Sequence, residues 1–120
     1  MSQSFFVATL PSLFPDSPPP LTEARFLELA RQHLAPTETR AIEALATEAP
    51  TRHRFVLEWR RHETQLRNAV ARHRAGRLGL DPTPWIRPHE GYDVALERGV
   101  AAAFQETDPL RREKALDALR

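Results

Sequence analysis

The sequence has no cysteine, so disulfide frameworks, thiolate metal sites and cysteine nucleophiles are excluded. Its four glycines, at positions 76, 79, 91 and 99, provide no Gly-rich phosphate loop and no dinucleotide fingerprint. Long apolar runs are also missing. Phe5-Phe6-Val7-Ala8, near the N-terminus, has no basic residue ahead of it and is far too short for a signal-peptide core or a membrane span. The expectation is a cytoplasmic protein. Lysine is nearly absent, with one Lys against sixteen Arg, a bias that fits planar, bidentate pairing with carboxylates and that a GC-rich genome produces equally well. A hydrophobic content of 41% is slightly low for a compact globule, which implies apolar surface that waits for a partner.

At 120 residues the chain fits one small domain. Its net charge of +1 conceals an asymmetry. Residues 1–51 carry three Arg against six acids, and residues 78–120 carry six basic against eight acidic side chains. Residues 52–77 hold eight Arg and only Glu58 and Glu63, so a net +6 falls on this one stretch.

The aromatic and β-branched run Ser4–Thr9 favours an extended arm, and Pro11 removes the donor needed to continue it. Pro11, Pro15 and Pro18-Pro19-Pro20 make a stiff linker, the triple proline a polyproline II spacer. Thr22 caps a first helix that runs to about His33, and Pro36 opens a second at its N1 position, with Glu38 in the first turn and Ala49-Pro50 as its stop. The pair forms a helical hairpin with Leu27, Leu34, Ile42 and Leu45 facing inward.

A third helix, from near Thr51 to Gly76, is the longest element, about 38 Å at 1.5 Å per residue. Phe55, Trp59, His62, Leu66, Ala69, His73 and Gly76 alternate spacings of four and three, a heptad seam that wants partner helices. Gly76 and Gly79 end the helix, and a second proline-rich connection follows, in which Trp85 needs something to pin it. Asp93 caps a fourth helix in which Gly99 is a mild weakness, and Asp108-Pro109 opens a fifth. The expected core also contains Val70, Val100 and Phe104. With Leu110, Leu116 and Leu119 in phase and no closing Gly, Asn or Pro, the last helix suggests that the chain is the N-terminal part of a longer protein.

Five histidines raise the question of a metal, and their spacings argue against one. His62 and His73 share a face but lie three turns apart, roughly 16 Å along the axis. His62-Glu63 begins like a zincin motif, yet Leu66 stands where the second His is needed. Glu58 and His62 have the i, i+4 spacing of an acid–base pair, which is ordinary on any helix surface. The arginines of 52–77 surround their helix and line no single phosphate-tracking stripe. They can be a solvated face, a nucleic-acid footprint, or a surface for an acidic protein partner.

Three stretches then point to a family: S-F-F-V-A-T-L-P-S-L at 4–13, P-P-P-L-T-E-A-R-F-L-E-L at 18–29, and L-E-W-R-R-H-E-T-Q-L-R-N-A-V-A-R-H-R-A at 57–75. With G-Y-D at 91–93 and D-P-L-R-R-E-K-A-L-D-A-L-R at 108–120, they resemble an uncharacterised bacterial family whose genes accompany those for V-type ATPase subunits. The resemblance implies an all-helical accessory or stalk-type component, peripheral to the membrane through the ATPase complex. It carries over no catalytic residue. Ala35 stands where the family often has a Ser cap.

The expected architecture is therefore all-α. An extended arm and linker (1–21) precede a helical domain (22–120) built from a hairpin, a long central helix and two further helices. The expected function is non-catalytic, without cofactor, metal or small-molecule substrate: binding of other subunits, those of a V-type ATPase, through Arg54, Arg60, Arg61, Arg67, Arg72, Arg74 and Trp85. The rival reading is nucleic-acid binding by the Arg-rich helix.

Overall fold

A computed structural model describes residues 3–120. It is all-helical, with six α-helices, one 3-10 turn and no strand among the described residues. No helix among them is long and apolar enough to cross a membrane. The chain divides into two compact units, Met1–Val56 and Leu57–Arg120.

In the first unit the expected extended arm is instead a helix, α1 (Gln3–Thr9); residues 1 and 2 of that arm lie outside the described residues. Strand propensity depends on having a sheet to join, and here tertiary packing decides the outcome. Phe6 is buried, with its ring 5.9 Å from that of Phe26 and 6.4 Å from that of His33. Gln3 Nε2 donates to Glu38 Oε1 at 2.6 Å, and Thr9 Oγ1 donates to the Phe6 carbonyl at 2.7 Å. Pro11 then prevents continuation. The linker that follows leaves Leu13 and Phe14 exposed.

Helices α2 (Glu23–His33) and α3 (Pro36–Thr47) form the expected hairpin. Thr22 accepts from the Arg25 N–H at 3.1 Å, a side-chain cap for one of the four otherwise unpaired first-turn donors. Ala35 has no side-chain oxygen to cap α3, and Glu38 reaches back to the Ala35 N–H. The hairpin interior is small: Leu27, Ala30, Ala41 and Ala44, with Thr39 Oγ1 donating to the Ala30 carbonyl at 3.2 Å. Leu34 and Ile42 are half-buried and Leu45 is exposed, so larger side chains sit at the edges of an alanine-lined contact. Val56, fully buried, packs with Ala41 and Ala44.

Helix α4 (Arg54–Leu78) is the long central helix, and it starts three residues later than expected. Only the middle of its predicted seam is buried. Leu66 and Ala69 are each 1% exposed, whereas Phe55 is 57% and Trp59 39% exposed, and Gly76 faces solvent. Gly79, not Gly76, ends the helix. Its φ of +67° allows the Leu80 N–H to return to the Ala75 carbonyl at 2.8 Å, a closure that a residue with a Cβ makes under strain.

In the second unit, Leu66 and Ala69 join Leu96, Val100, Ala103, Phe104 and Leu116 in one core, flanked by Val70, Ala115 and Leu119. The contributing helices are α5 (Val94–Ala103), capped by Asp93, and α6 (Pro109–Asp117), capped by Asp108 with Pro109 at N1, both as the sequence predicts. Gly99 is more than a weak helix position. A Cβ there would come within 2.5 Å of Leu119 Cδ2, so the bare backbone is the seat of the Leu119 side chain.

Leu66→Ala should cost about 2–5 kcal/mol, since it removes a fully buried side chain from the core. Trp59→Ala should cost distinctly less, because that residue keeps more than a third of its surface in water. Urea denaturation of both variants checks the order; equal losses would contradict this core.

Candidate protein-binding surface

The second unit is held in register by two buried side-chain amides that the sequence reading did not single out. Gln65 and Asn68 are 4% and 2% exposed and lie one turn apart on α4, beside the core positions Leu66 and Ala69. Each engages both polar atoms of a single backbone residue. Asn68 Nδ2 donates to the Arg87 carbonyl at 2.7 Å, and the Arg87 N–H donates to Asn68 Oδ1 at 3.0 Å. Gln65 Nε2 donates to the Asp93 carbonyl and the Asp93 N–H donates to Gln65 Oε1, both at 2.9 Å. The proline-rich connection is thus tied to α4 at residues 87 and 93. The sequence signal was an Asn and a Gln flanking two core positions, where a buried amide must find partners.

Asp81 arranges the start of the same connection. Its Oδ1 accepts from the Thr83 N–H at 3.0 Å and from Thr83 Oγ1 at 2.7 Å, holding the 3-10 turn Thr83–Trp85. The Thr83 backbone N–H, followed by the Thr83 hydroxyl, holds the Asp81 carboxyl below its ordinary value.

Between the Asp81 turn and the Asn68 clasp stands Trp85, 57% exposed. It forms one end of a trough of about 540 Å³ together with Leu80, and Val70 and Leu116 lie deeper within it. Of the predicted partner-binding residues, Arg67, Arg74 and Trp85 meet here. Arg54, Arg60, Arg61 and Arg72 do not line it; Arg54 and Arg61 are exposed and Arg60 is half-buried. Arg120 and Glu113, which the sequence reading did not include, complete the rim from α6 and the turn after it.

The arginines of α4 have several acidic neighbours. Arg67 lies 3.6 Å from Glu63, Arg72 3.5 Å from Glu97 on α5, and Arg74 3.2 Å from Glu113 on α6. Arg120 Nε bonds Glu63 at 2.9 Å. Arg74 and Glu113 are both solvent-exposed, so that pair contributes at most about 1 kcal/mol, whereas in the others an exposed guanidinium meets a largely buried carboxylate, Glu63 or Glu97. Further along α4, His73 stacks on Phe104 at 4.8 Å and 12°, while Arg77 and Arg112 lie 5.0 and 5.5 Å from the centre of the same ring. Arg77 also donates to the Phe104 carbonyl. His73 and Arg77 therefore pack an interior aromatic instead of forming a basic face. His62 Nε2 lies 2.6 Å from the Leu119 carbonyl, which can only accept, so the nitrogen carries the proton.

Among the described residues, no group of three or more His, Cys, Asp or Glu side chains is placed to hold a metal ion. What the arrangement offers is an open apolar trough with a charged rim.

Asn68→Ala and Gln65→Ala should each cost about 1–3 kcal/mol, because each leaves a backbone N–H and carbonyl without their partner. Amide hydrogen exchange should accelerate at Arg87 in the first variant and at Asp93 in the second; unchanged rates would show that the clasps hold nothing. The Asp81 turn should be pH-dependent. A carboxyl whose folded value is lowered contributes above its unfolded value, and that contribution is lost as pH falls through the folded one. The Thr83 amide resonance should therefore titrate with a midpoint below 3.8, and Asp81→Asn should abolish that titration.

No protein-family model, curated protein or solved structure matches this chain.

Proposed function

We propose that the chain is a non-catalytic, helical protein-binding component and, following the resemblance of its sequence, that it binds subunits of a V-type ATPase. The observation that carries the protein-binding reading is the trough beside α4, an apolar concavity with Leu78, Leu80 and Trp85 exposed along its edge. Apolar side chains clustered at a concave surface favour a partner that covers them. The ATPase assignment rests on the residue stretches at 4–13, 18–29 and 57–75.

The distribution of arginine favours this reading over nucleic-acid binding. Arg67, Arg72 and Arg74 sit beside carboxylates, and Arg77 lies over Phe104. A phosphate backbone would have to compete with those neighbours, and the arginines do not converge on one stripe.

The test is affinity capture of the tagged full chain from its own cells, washed at moderate salt and identified by mass spectrometry. Recovery of V-type ATPase subunits is expected. Recovery of nucleic acid instead, with binding that falls steeply as salt rises, would overturn the proposal.

A further inference from the structure

Two walls define the trough, α4 on one side and α6 with the turn after it on the other. Leu66, Val70, Arg74 and Leu78 line it from α4 at successive intervals of four, so that wall runs roughly 18 Å along the helix axis. Glu113, Leu116 and Arg120 line the other side at intervals of three and four. The floor is buried at Leu66 and Leu116, while Leu78, Leu80 and Trp85 leave apolar surface exposed at one end.

The shape selects the occupant. An extended peptide gains most of its affinity by pairing backbone groups with a sheet edge, and helical walls have none to offer. A helix satisfies its own backbone bonds and presents side chains at intervals of three and four, which match the spacing on both walls. A compact small molecule could fill the centre but would leave the exposed leucines and Trp85 uncovered.

The charge selects its chemistry. The lining contains three guanidiniums, Arg67, Arg74 and Arg120, and one carboxylate, Glu113. Glu63 serves both Arg67 and Arg120, at 3.6 and 2.9 Å, and Arg120 also reaches Asp117 at 2.9 Å. Arg74 and Glu113 are both more than half exposed, so an incoming carboxylate can replace Glu113 at little cost. Arg67, with its side chain 72% exposed, retains donors directed to water.

We infer that the trough between α4 and α6 is a receptor for one amphipathic helix of a partner protein, whose apolar face enters the trough and whose flanking Asp or Glu residues meet Arg67, Arg74 and Arg120. This inference rests on the protein-binding reading and specifies where and what that binding is.

The test uses the full chain carrying Trp59→Phe, which leaves Trp85 as its single tryptophan. The probe is a synthetic amphipathic helix of about 14 residues, roughly 21 Å long, with Leu on one face and Glu on its flanks. Its counterpart has Lys in place of Glu. The Glu peptide should shift the Trp85 emission to the blue and bind at least about tenfold more tightly than the Lys peptide, since tenfold needs only about 1.4 kcal/mol. Leu80→Glu should weaken that binding, Arg67→Glu should narrow or invert the peptide preference, and Tyr92→Ala, outside the trough, should change neither. Circular dichroism of each variant establishes that it is folded.

Equal affinity for the two peptides, or binding unaffected by Leu80→Glu, would overturn the inference. So would a blue shift of Trp85 produced by oleate and not by the Glu peptide, which would make this a fatty-acid site. Failure here is distinct from failure of the broader reading. If captured V-type ATPase subunits are retained equally by Leu80→Glu, the trough is wrong and the protein-binding reading stands. If the Glu peptide binds as expected while no ATPase subunit is captured, the trough stands and the ATPase assignment falls.

Discussion

Two buried amides fix the arrangement of the second unit. Gln65 and Asn68 leave water on the inner face of α4, and each pairs its amide with both backbone polar groups of one residue, Asp93 or Arg87. The proline-rich connection has few backbone donors and no regular structure beyond one 3-10 turn, so it cannot define its own path. The side chains of α4 define it. Where that path is fixed, three things follow: Asp93 stands at the start of α5 as its cap, Trp85 is held at the mouth of the trough, and the core positions of α5 face Leu66 and Ala69.

Because the clasp at Asp93 joins a tertiary tie to a helix cap, the two are coupled. Asp93 gives its backbone N–H and carbonyl to Gln65 while its carboxylate accepts from the Leu96 N–H at 3.2 Å. Gln65 Nε2 also lies 3.2 Å from Glu97 Oε1, and Glu97 in turn meets Arg72. A chain of polar contacts thus runs from the buried face of α4 through the first turn of α5 and back to the exposed face of α4. A partly satisfied network of this kind costs more than an apolar contact, which makes the completeness of the Gln65 pairing matter.

The sequence was most legible where backbone chemistry alone decides. Thr22, Asp93 and Asp108 cap their helices because first-turn N–H groups need acceptors, and Pro36 and Pro109 stand at N1 because that position has no bond to lose. It was least legible where the answer lay in another element. Phe5-Phe6-Val7 has strand propensity, yet Phe26 and His33 make a site for one ring of a short helix. The heptad seam is real only where α5 and α6 provide a surface, so Leu66 is buried while Phe55 is not. Of the candidate binding residues, Arg67, Arg74 and Trp85 line the trough. Glu113 belongs to α6 and Arg120 to the turn beyond it, and no local pattern connects them to Arg74 and Glu63 on α4, 39 and 57 residues away.

The position of the α6 wall is itself a consequence of small details near Arg120. Leu119 inserts its side chain toward Gly99 and offers its carbonyl to His62, while Arg120 reaches Glu63 and Asp117. Each contact fixes a different degree of freedom. The Leu119 side chain sets the separation of α6 from α5, the His62 bond sets the height of the last turn along α4, and the Arg120 pair aims the guanidinium at the trough. A Cβ at position 99 would meet the Leu119 methyl groups, so that side chain would have to turn aside from its seat on α5. The helical propensity that Gly99 forgoes, about 1 kcal/mol relative to Ala, therefore accompanies the close approach of the Leu119 side chain to α5.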